Sequence, residues 1–314
     1  MASFVRRDYQ ILSATYRMRR HYYRGALWGF PDQVSILLGV ARSDFNVSWF
    51  GYHQAYRAIR YSRVLGRRSL VILGGFDVCE EEDPYLSSRI EEIRYILLNA
   101  GKVLALSKRV QDKALAISPT AHVDLAYPGF DANRYRPSGE KQPIVSTVAF
   151  IKRANLRRKG LETFVRSAAF VPECSFFVVG EWLDDAIDYL RSIAPKNVFF
   201  PGRVSEVELI RIFQQSSVYV QASTHEGFGC SLAEGMLCGC VPVVSDRGAI
   251  PEVVGDTGIY VNHEDSRDVA RGVQEALGRT DLGRAAHRRI VSLFPIEKRR
   301  EALIGAVEGI LGAG

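Results

Sequence analysis

The chain has 314 residues, 47% of them hydrophobic and 24% charged. That length is too great for one ordinary domain and fits two of about 150 residues, and the composition places it among soluble globular chains. No uninterrupted apolar run approaches the ~20 residues that cross a bilayer, and a net charge of +6 calls for an anionic partner without naming its kind.

The chain opens on MASFVRRDYQILSATYRMRRHYYRG, where Arg6, Arg7, Arg17, Arg19, Arg20, His21 and Arg24 interleave with Tyr9, Tyr16, Tyr22 and Tyr23. It lacks the apolar core of roughly 7–15 residues that marks a secretory signal. A cytoplasmic protein is expected, either free or resting peripherally on a membrane surface. Such a stretch suits a solvated helix face, an anionic membrane or nucleic acid. No nucleic-acid-binding motif accompanies it, so no nucleic-acid partner is expected.

Next come FNVSWF and HQAYRAIRYSRVLG, RRSLVILGG and SSRIEEIRYILLNA, KVLALS and KRVQDKALAIS, and then AHVDLAYPG. Strand-like runs alternate with helical stretches, and the join shows in GFDANRYRPSGEKQPIV, where Pro137, Ser138, Gly139 and Pro143 interrupt both patterns. This divides the chain into residues 1–141 and 142–314. The second half alternates more cleanly: PIVSTVAFI then GLETFVRSAAF, SFFVVG then WLDDAIDYLRSIA, NVFF then SEVELIRIFQQS, VYVQAS then CSLAEGMLCG, VPVVS, and GIYV before SRDVARGVQEAL. Continuous apolar strands of this kind are buried on both faces, as in a parallel sheet covered by crossover helices. The fold class is therefore α/β, with two doubly wound domains. A final amphipathic helix over 296–312 either finishes the second domain or crosses back onto the first. The cysteines Cys79, Cys174, Cys230, Cys238 and Cys240 are odd in number and sit in apolar segments. They read as buried small side chains in a reducing compartment, with no disulfide framework or zinc site.

Ligands of open parallel sheets bind beyond the carboxyl ends of the strands, so the loops there carry the information. After VYVQAS comes THEGFGCSLAEGMLCGCVPVVSDRGAIPEVVGDTG. Gly227 and Gly229 allow close backbone approach to a ligand. A helix beginning near Cys230 would present the amides of Cys230, Ser231 and Leu232 to a diphosphate. Glu226 precedes that helix and Glu234 lies one turn into it. A carboxylate accepts from two neighbouring hydroxyls, which is how a sugar or ribose diol is held. Glu234 sits in a small, apolar helix, where an unpartnered acid is costly.

The segment EGFGCSLAE followed by GCVPVVSDRGAIPEVVGDTG resembles the signature of family 4 retaining glycosyltransferases, which have the GT-B architecture of two Rossmann-like domains facing across a cleft. The resemblance extends through residues 144–280 and more weakly through 45–137. It implies that Glu226 contacts hydroxyls of the donor sugar, that Glu234 holds the ribose, and that the backbone at Gly227, Phe228 and Gly229 lines the sugar and phosphates. In RANLRRKG, Arg153 and Lys159 match the pair that neutralises the donor diphosphate, although Lys152 stands where many relatives have Gly. Arg157, Arg158 and Lys152 read as surface charge. FFPGRVSEVEL resembles the loop whose backbone reads the base, near Arg203 and Val204. The first half departs from the pattern. Gly74, Gly75, Phe76 and Asp77 stand where relatives often carry a His-Asp pair, leaving His53 and Asp77 as candidate acceptor or sugar contacts. The glycine-rich turn near the first strand is missing from YQILSATYRMRR.

The expectation is a retaining glycosyltransferase that moves a sugar from a nucleoside diphosphate donor to a glycan or lipid-linked hydroxyl. The leaving diphosphate acts as base, and no metal or further cofactor is needed because no convincing Asp-x-Asp follows a strand. A glycoside hydrolase would not need the diphosphate grip, and a dehydrogenase would show Gly-x-Gly-x-x-Gly. The remaining alternative is a sugar-nucleotide-binding or assembly protein of this fold with impaired catalysis.

Overall fold

A computed structural model describes residues 3–21, 29–79 and 86–312. The chain divides into two compact units, residues 1–129 with 296–314 and residues 130–295. The boundary falls ahead of the Pro-Ser-Gly segment that suggested position 141. Residues 130–141 already belong to the second unit because Phe130 N donates to Phe294 O, Tyr135 OH to Glu206 Oε1, and Lys141 Nζ to the carbonyls of Phe213 and Cys238.

The first unit runs α1 (Ser3–Ser13), α2 (Gly29–Ala41), β1 (Phe45–Trp49), α3 (His53–Val64), β2 (Arg68–Leu73), α4 (Leu86–Asn99), β3 (Lys102–Ala105), α5 (Lys108–Ile117) and β4 (Asp124–Leu125). Its four strands form a parallel sheet in the order β1-β2-β3-β4. Val71, Leu73, Val103 and Ala105 face one layer of helices, α3 to α5, and Leu70, Ile72 and Leu104 face the other. Residues of YQILSATYRMRR contribute to α1 and the turn after it, so no strand forms where a glycine-rich turn was sought. Tyr22, Tyr23 and Arg24 lie outside the described residues.

The second unit runs β5 (Gln142–Val148), α6 (Arg153–Arg158), α7 (Leu161–Ser167), β6 (Ser175–Val179), α8 (Ala186–Ile193), β7 (Val198–Gly202), α9 (Glu206–Gln215), β8 (Ser216–Gln221), α10 (Cys230–Leu237), β9 (Val241–Val244), α11 (Ile250–Val254), β10 (Ile259–Tyr260), α12 (Ser266–Ala276) and α13 (Thr280–Leu293). Its parallel sheet has the order β10-β9-β8-β5-β6-β7. A reciprocal Ser205–Glu208 capping box starts α9, which fixes where β7 hands over to helix.

The last helix, α14 (Ile296–Gly312), joins the first unit and packs Leu303, Ala306, Val307 and Ile310 against Ile11, Leu12, Leu70 and Ile72. One ion pair pins it. Arg299 Nε and Nη2 donate to Asp8 at 2.8 and 2.6 Å, Nη1 donates to Ala126 O at 2.6 Å, and Trp49 Nε1 donates to Asp8 at 3.0 Å. Both charged side chains are almost wholly buried. Removing one partner strands the other in the core, so Asp8→Ala is expected to lower the unfolding free energy by about 3–5 kcal/mol. Denaturant titration against wild type measures this, and a loss below about 1 kcal/mol would show that the pair does not anchor the helix.

None of the five cysteines forms a disulfide among the described residues, and four are buried. No described helix is long and apolar enough to cross a membrane.

Candidate functional site

The second sheet reverses its strand order at β5. The chain steps outward from β5 through β6 to β7, then returns to the opposite side of β5 as β8 and continues to β9 and β10. Such a reversal opens a crevice beyond the carboxyl ends of the two central strands. Lys159 follows β5 and Glu226 follows β8, so topology alone brings the two loops together.

Local contacts set the distance between them. Gly160 has φ +63°, and a Cβ there would lie 2.1 Å from Ala222 O. Only glycine permits this backbone conformation at such close approach. Thr224 N donates to Arg158 O at 2.9 Å, binding one loop to the other. Lys159 Nζ thereby reaches Glu226 Oε1 at 2.5 Å, with the side chains only 18% and 10% exposed.

Glu226 Oε1 also accepts from Gln221 Nε2 and Ser223 Oγ, both at 2.8 Å. Oε2 makes no hydrogen bond among the described residues, and neither do two of the three N–H groups of Lys159. Burial pushes the Glu226 carboxyl towards its neutral form. The Lys159 charge, the hydrogen bonds from Lys159 and Ser223, and the Arg158 charge outweigh that and hold its pKa below the ordinary glutamate value. The site therefore holds a fixed carboxylate and a fixed ammonium, each with bonding capacity to spare.

Backbone packing fixes the rest of the loop. Ala249 N donates to Glu226 O at 2.9 Å. Gly248, at φ +59°, approaches so closely that a Cβ would sit 2.5 Å from Glu226 N. Phe228 is buried, stacked on Phe130 at 5.8 Å and edge-on to Phe294 at 5.1 Å. Its ring anchors the loop between Gly227 and Gly229. Gly229, at φ +94°, is the N-cap of α10 and has no side chain to occupy the opening amides of Cys230, Ser231 and Leu232. Glu234 lies on α10 and is buried at 3% exposure.

The structure does not bring Arg153 into this network. Its guanidinium, 71% exposed, is held by Asp185, and its backbone N–H donates to Asp184. Arg158, read from sequence as surface charge, instead lends its charge to Glu226, and its guanidinium is oriented by two bonds to Oδ1 of the buried Asn155. Arg203 and Val204 follow β7. Arg203 is largely exposed, 3.9 Å from Glu181, and Val204 is half-buried.

In the first unit, His53 opens α3 and pairs with Glu92 at 2.6 Å. Asp77, the other candidate contact, lies inside the first unit. It is 0% exposed, and its carboxyl accepts from Gly51 N at 2.7 Å, Gly75 N at 2.8 Å and Gly74 N at 3.1 Å. Those amides take up the oxygens that a substrate would need. Asp77→Ala is expected to cost about 3 kcal/mol through stranded buried amides. Nucleotide affinity should stay at the wild-type level, as calorimetry would show; a selective loss of affinity without loss of stability would restore Asp77 as a ligand contact.

Sequence reasoning missed Gln221, Ser223, Arg158 and Gly248. The first two were legible in principle, since they follow Tyr219 at strand spacing. The other two depend on contacts between separate loops.

Residues 145–279 match the family model of the glycosyl transferases group 1. The chain is 24% identical over 193 residues to the serotype-specific mannosyltransferase WbdA of Escherichia coli, covering 57% of this chain and 23% of WbdA. It thus spans less than a quarter of that relative's length. It is 25% identical over 270 residues to the GDP-mannose:cellobiosyl-diphosphopolyprenol alpha-mannosyltransferase of Xanthomonas campestris, covering 80% of this chain and 69% of the relative. Among solved structures, HepE of Anabaena in complex with UDP and glucose aligns with a TM-score of 0.79 at 17% identity, over 92% of this chain and 84% of HepE. Sucrose-phosphate synthase of Thermosynechococcus elongatus gives 0.78 at 20% identity, over 94% and 81%. The chain thus has the GT-B fold of glycosyltransferases, and its second unit holds the segment that matches the group 1 glycosyl transferases.

Proposed function

We propose that the chain is a glycosyltransferase that moves a sugar from a nucleoside diphosphate donor to a hydroxyl of a glycan or lipid-linked acceptor, with retention of configuration and without a metal. One observation carries the reading: Glu226 and Lys159 are locked together at a sheet's switch point, each with unused bonding capacity, beside the uncapped start of α10. In this reading Glu226 Oε2 accepts from hydroxyls of the donor sugar. Lys159 and the first amides of α10 take the diphosphate, Glu234 holds the ribose, and the backbone near Arg203 and Val204 meets the base. The bond from anomeric carbon to diphosphate oxygen breaks, and Lys159 stabilises the charge that develops. The departing diphosphate takes the acceptor's hydroxyl proton, and the acceptor oxygen bonds to the face that the diphosphate leaves. Relatives named for GDP-mannose and for a cellobiosyl-diphosphopolyprenol acceptor, and a neighbour holding UDP and glucose, support this donor and acceptor class. A thermal-shift screen against UDP-, GDP-, ADP- and dTDP-sugars tests it. Stabilisation by one donor class is expected; no shift with any donor would contradict it.

The same reading places the first unit at an anionic membrane surface. Val34, Leu37 and Leu38 stand exposed on α2, and the exposed Arg17, Arg19 and Arg20 lead to His21, which contacts Ser35 and Asp32 of that helix. Apolar side chains beside basic ones suit a bilayer of acidic headgroups. Co-sedimentation with phosphatidylglycerol vesicles is expected, with release at about 0.5 M salt and weakening in a Leu37→Glu, Leu38→Glu variant. Equal partition onto neutral phosphatidylcholine vesicles would contradict a charge-guided surface.

A further inference from the structure

Strand β8 sends alternate side chains to opposite faces. Val218, Val220 and Ala222 enter the core of the second unit. Tyr219, Gln221 and Ser223 point the other way, and all three are buried. Helix α10 covers this face so closely that a Cβ on Gly235 would meet the Tyr219 ring at 3.1 Å.

The hydrogen bonds on this face run in one direction. Gln221 Oε1 can only accept, so the Tyr219 hydroxyl 3.1 Å away donates to it. A phenol has one proton, so Ser231 Oγ, 2.9 Å from the phenol oxygen, donates to Tyr219. The two N–H bonds of Gln221 go to Ser223 Oγ at 2.6 Å and Glu226 Oε1 at 2.8 Å. The Ser223 hydroxyl ends on the same carboxylate oxygen. Every proton in the chain from Ser231 is therefore directed to Glu226 Oε1, and a flipped Gln221 amide would set its oxygen against that carboxylate oxygen. The network keeps one carboxylate oxygen turned inward and the other outward.

We infer that Gln221, aligned by Tyr219, is a positioning residue for sugar transfer, fixing Glu226 in the orientation that presents Oε2 to the donor sugar. The inference rests on the glycosyltransferase reading and adds to it the device that orients its central carboxylate. Neither residue needs to touch the donor. Loss of the amide should thus act on turnover and on the acid side of the pH profile, and should leave the nucleotide's own affinity alone.

The test compares wild type, Gln221→Leu and Tyr219→Phe, using whichever of UDP-glucose and GDP-mannose the wild type turns over. In Gln221→Leu, kcat is expected to fall roughly 10- to 100-fold with little change in donor KM. The acid limb of kcat/KM should move to higher pH, because the carboxylate loses a donor. Affinity for the free nucleoside diphosphate stays at wild type and reports an intact fold. Tyr219→Phe, which removes one oxygen and keeps the ring under Gly235, shifts kcat and the acid limb in the same direction by a smaller amount. Variants that bind nucleotide as wild type does and match it in kcat and in the position of the acid limb overturn this inference alone. A wild-type chain that neither binds nor turns over any activated sugar overturns the glycosyltransferase reading and this inference together.

Discussion

In the Glu226→Gln variant, kcat/KM for sugar transfer is expected to fall roughly 10²–10³-fold, while the free nucleoside diphosphate binds as it does to wild type. The amide oxygen can take the inward position and still accept from Lys159, Gln221 and Ser223, the three donors that Glu226 Oε1 has now. The amide nitrogen then faces outward, offering a donor where the sugar hydroxyls require an acceptor. Packing is preserved and only the outward chemistry changes. Stopped or quenched transfer assays beside nucleotide calorimetry measure the two effects separately. Equal loss of transfer and of nucleotide affinity would contradict the division of roles between sugar and nucleotide.

The Lys159→Met variant loses more. The ammonium that meets the departing diphosphate disappears, so both nucleoside diphosphate affinity and kcat should fall, the latter roughly 10²–10³-fold. Stability falls as well, because Glu226 is 10% exposed and its nearest charge partner is gone. A stranded buried carboxylate costs about 3 kcal/mol. In wild type the folded-state pKa of Glu226 is depressed. It therefore contributes stability that is present above its unfolded pKa and lost as pH falls through the folded one. In the variant, burial is no longer offset by Lys159, so the pKa rises and the penalty is relieved by protonation. The stability gap between variant and wild type should narrow as pH is lowered from neutral towards mildly acidic values. Denaturant titrations at two pH values measure it, and a gap that widens on acidification would mean that Glu226 is not held as a carboxylate by Lys159.

Much of the second unit was legible in the sequence because its strands are short continuous apolar runs, and burial on both faces leaves no other use for SFFVVG or VPVVS. The position of Glu226 was legible for a related reason: two glycines follow it closely, and a helix of small residues comes next. The partners of its neighbours were not. Arg153 and Lys159 stand at the two ends of the short helix α6, yet Arg153 turns to Asp185, more than thirty residues on, whereas Lys159 turns to Glu226. Only the contact of residues 158–160 with residues 222–226 beyond β8 decides between them. Asp77 likewise reads as a candidate sugar or acceptor contact after a strand, and only the folded loop shows three glycine amides closed around it. The division of the structure at residue 130 was not legible on the same ground. Pro137 and Gly139 do break the pattern, but Tyr135 and Lys141 on either side are tied into the second unit. The return of α14 to the first unit turns on Arg299 finding Asp8 across nearly the whole chain, a pairing that no local pattern encodes.

The central claim is that Glu226 and Lys159 together grip an activated sugar. Release of nucleoside diphosphate from a donor panel, by wild type, Glu226→Gln and Lys159→Met with acceptor-containing extract, tests it most directly. The prediction is release from one donor class by wild type and near-complete loss in both variants, with only Lys159→Met also losing affinity for the free nucleotide. Release by Glu226→Gln at the wild-type rate, or no release and no binding by wild type with any donor, would contradict it.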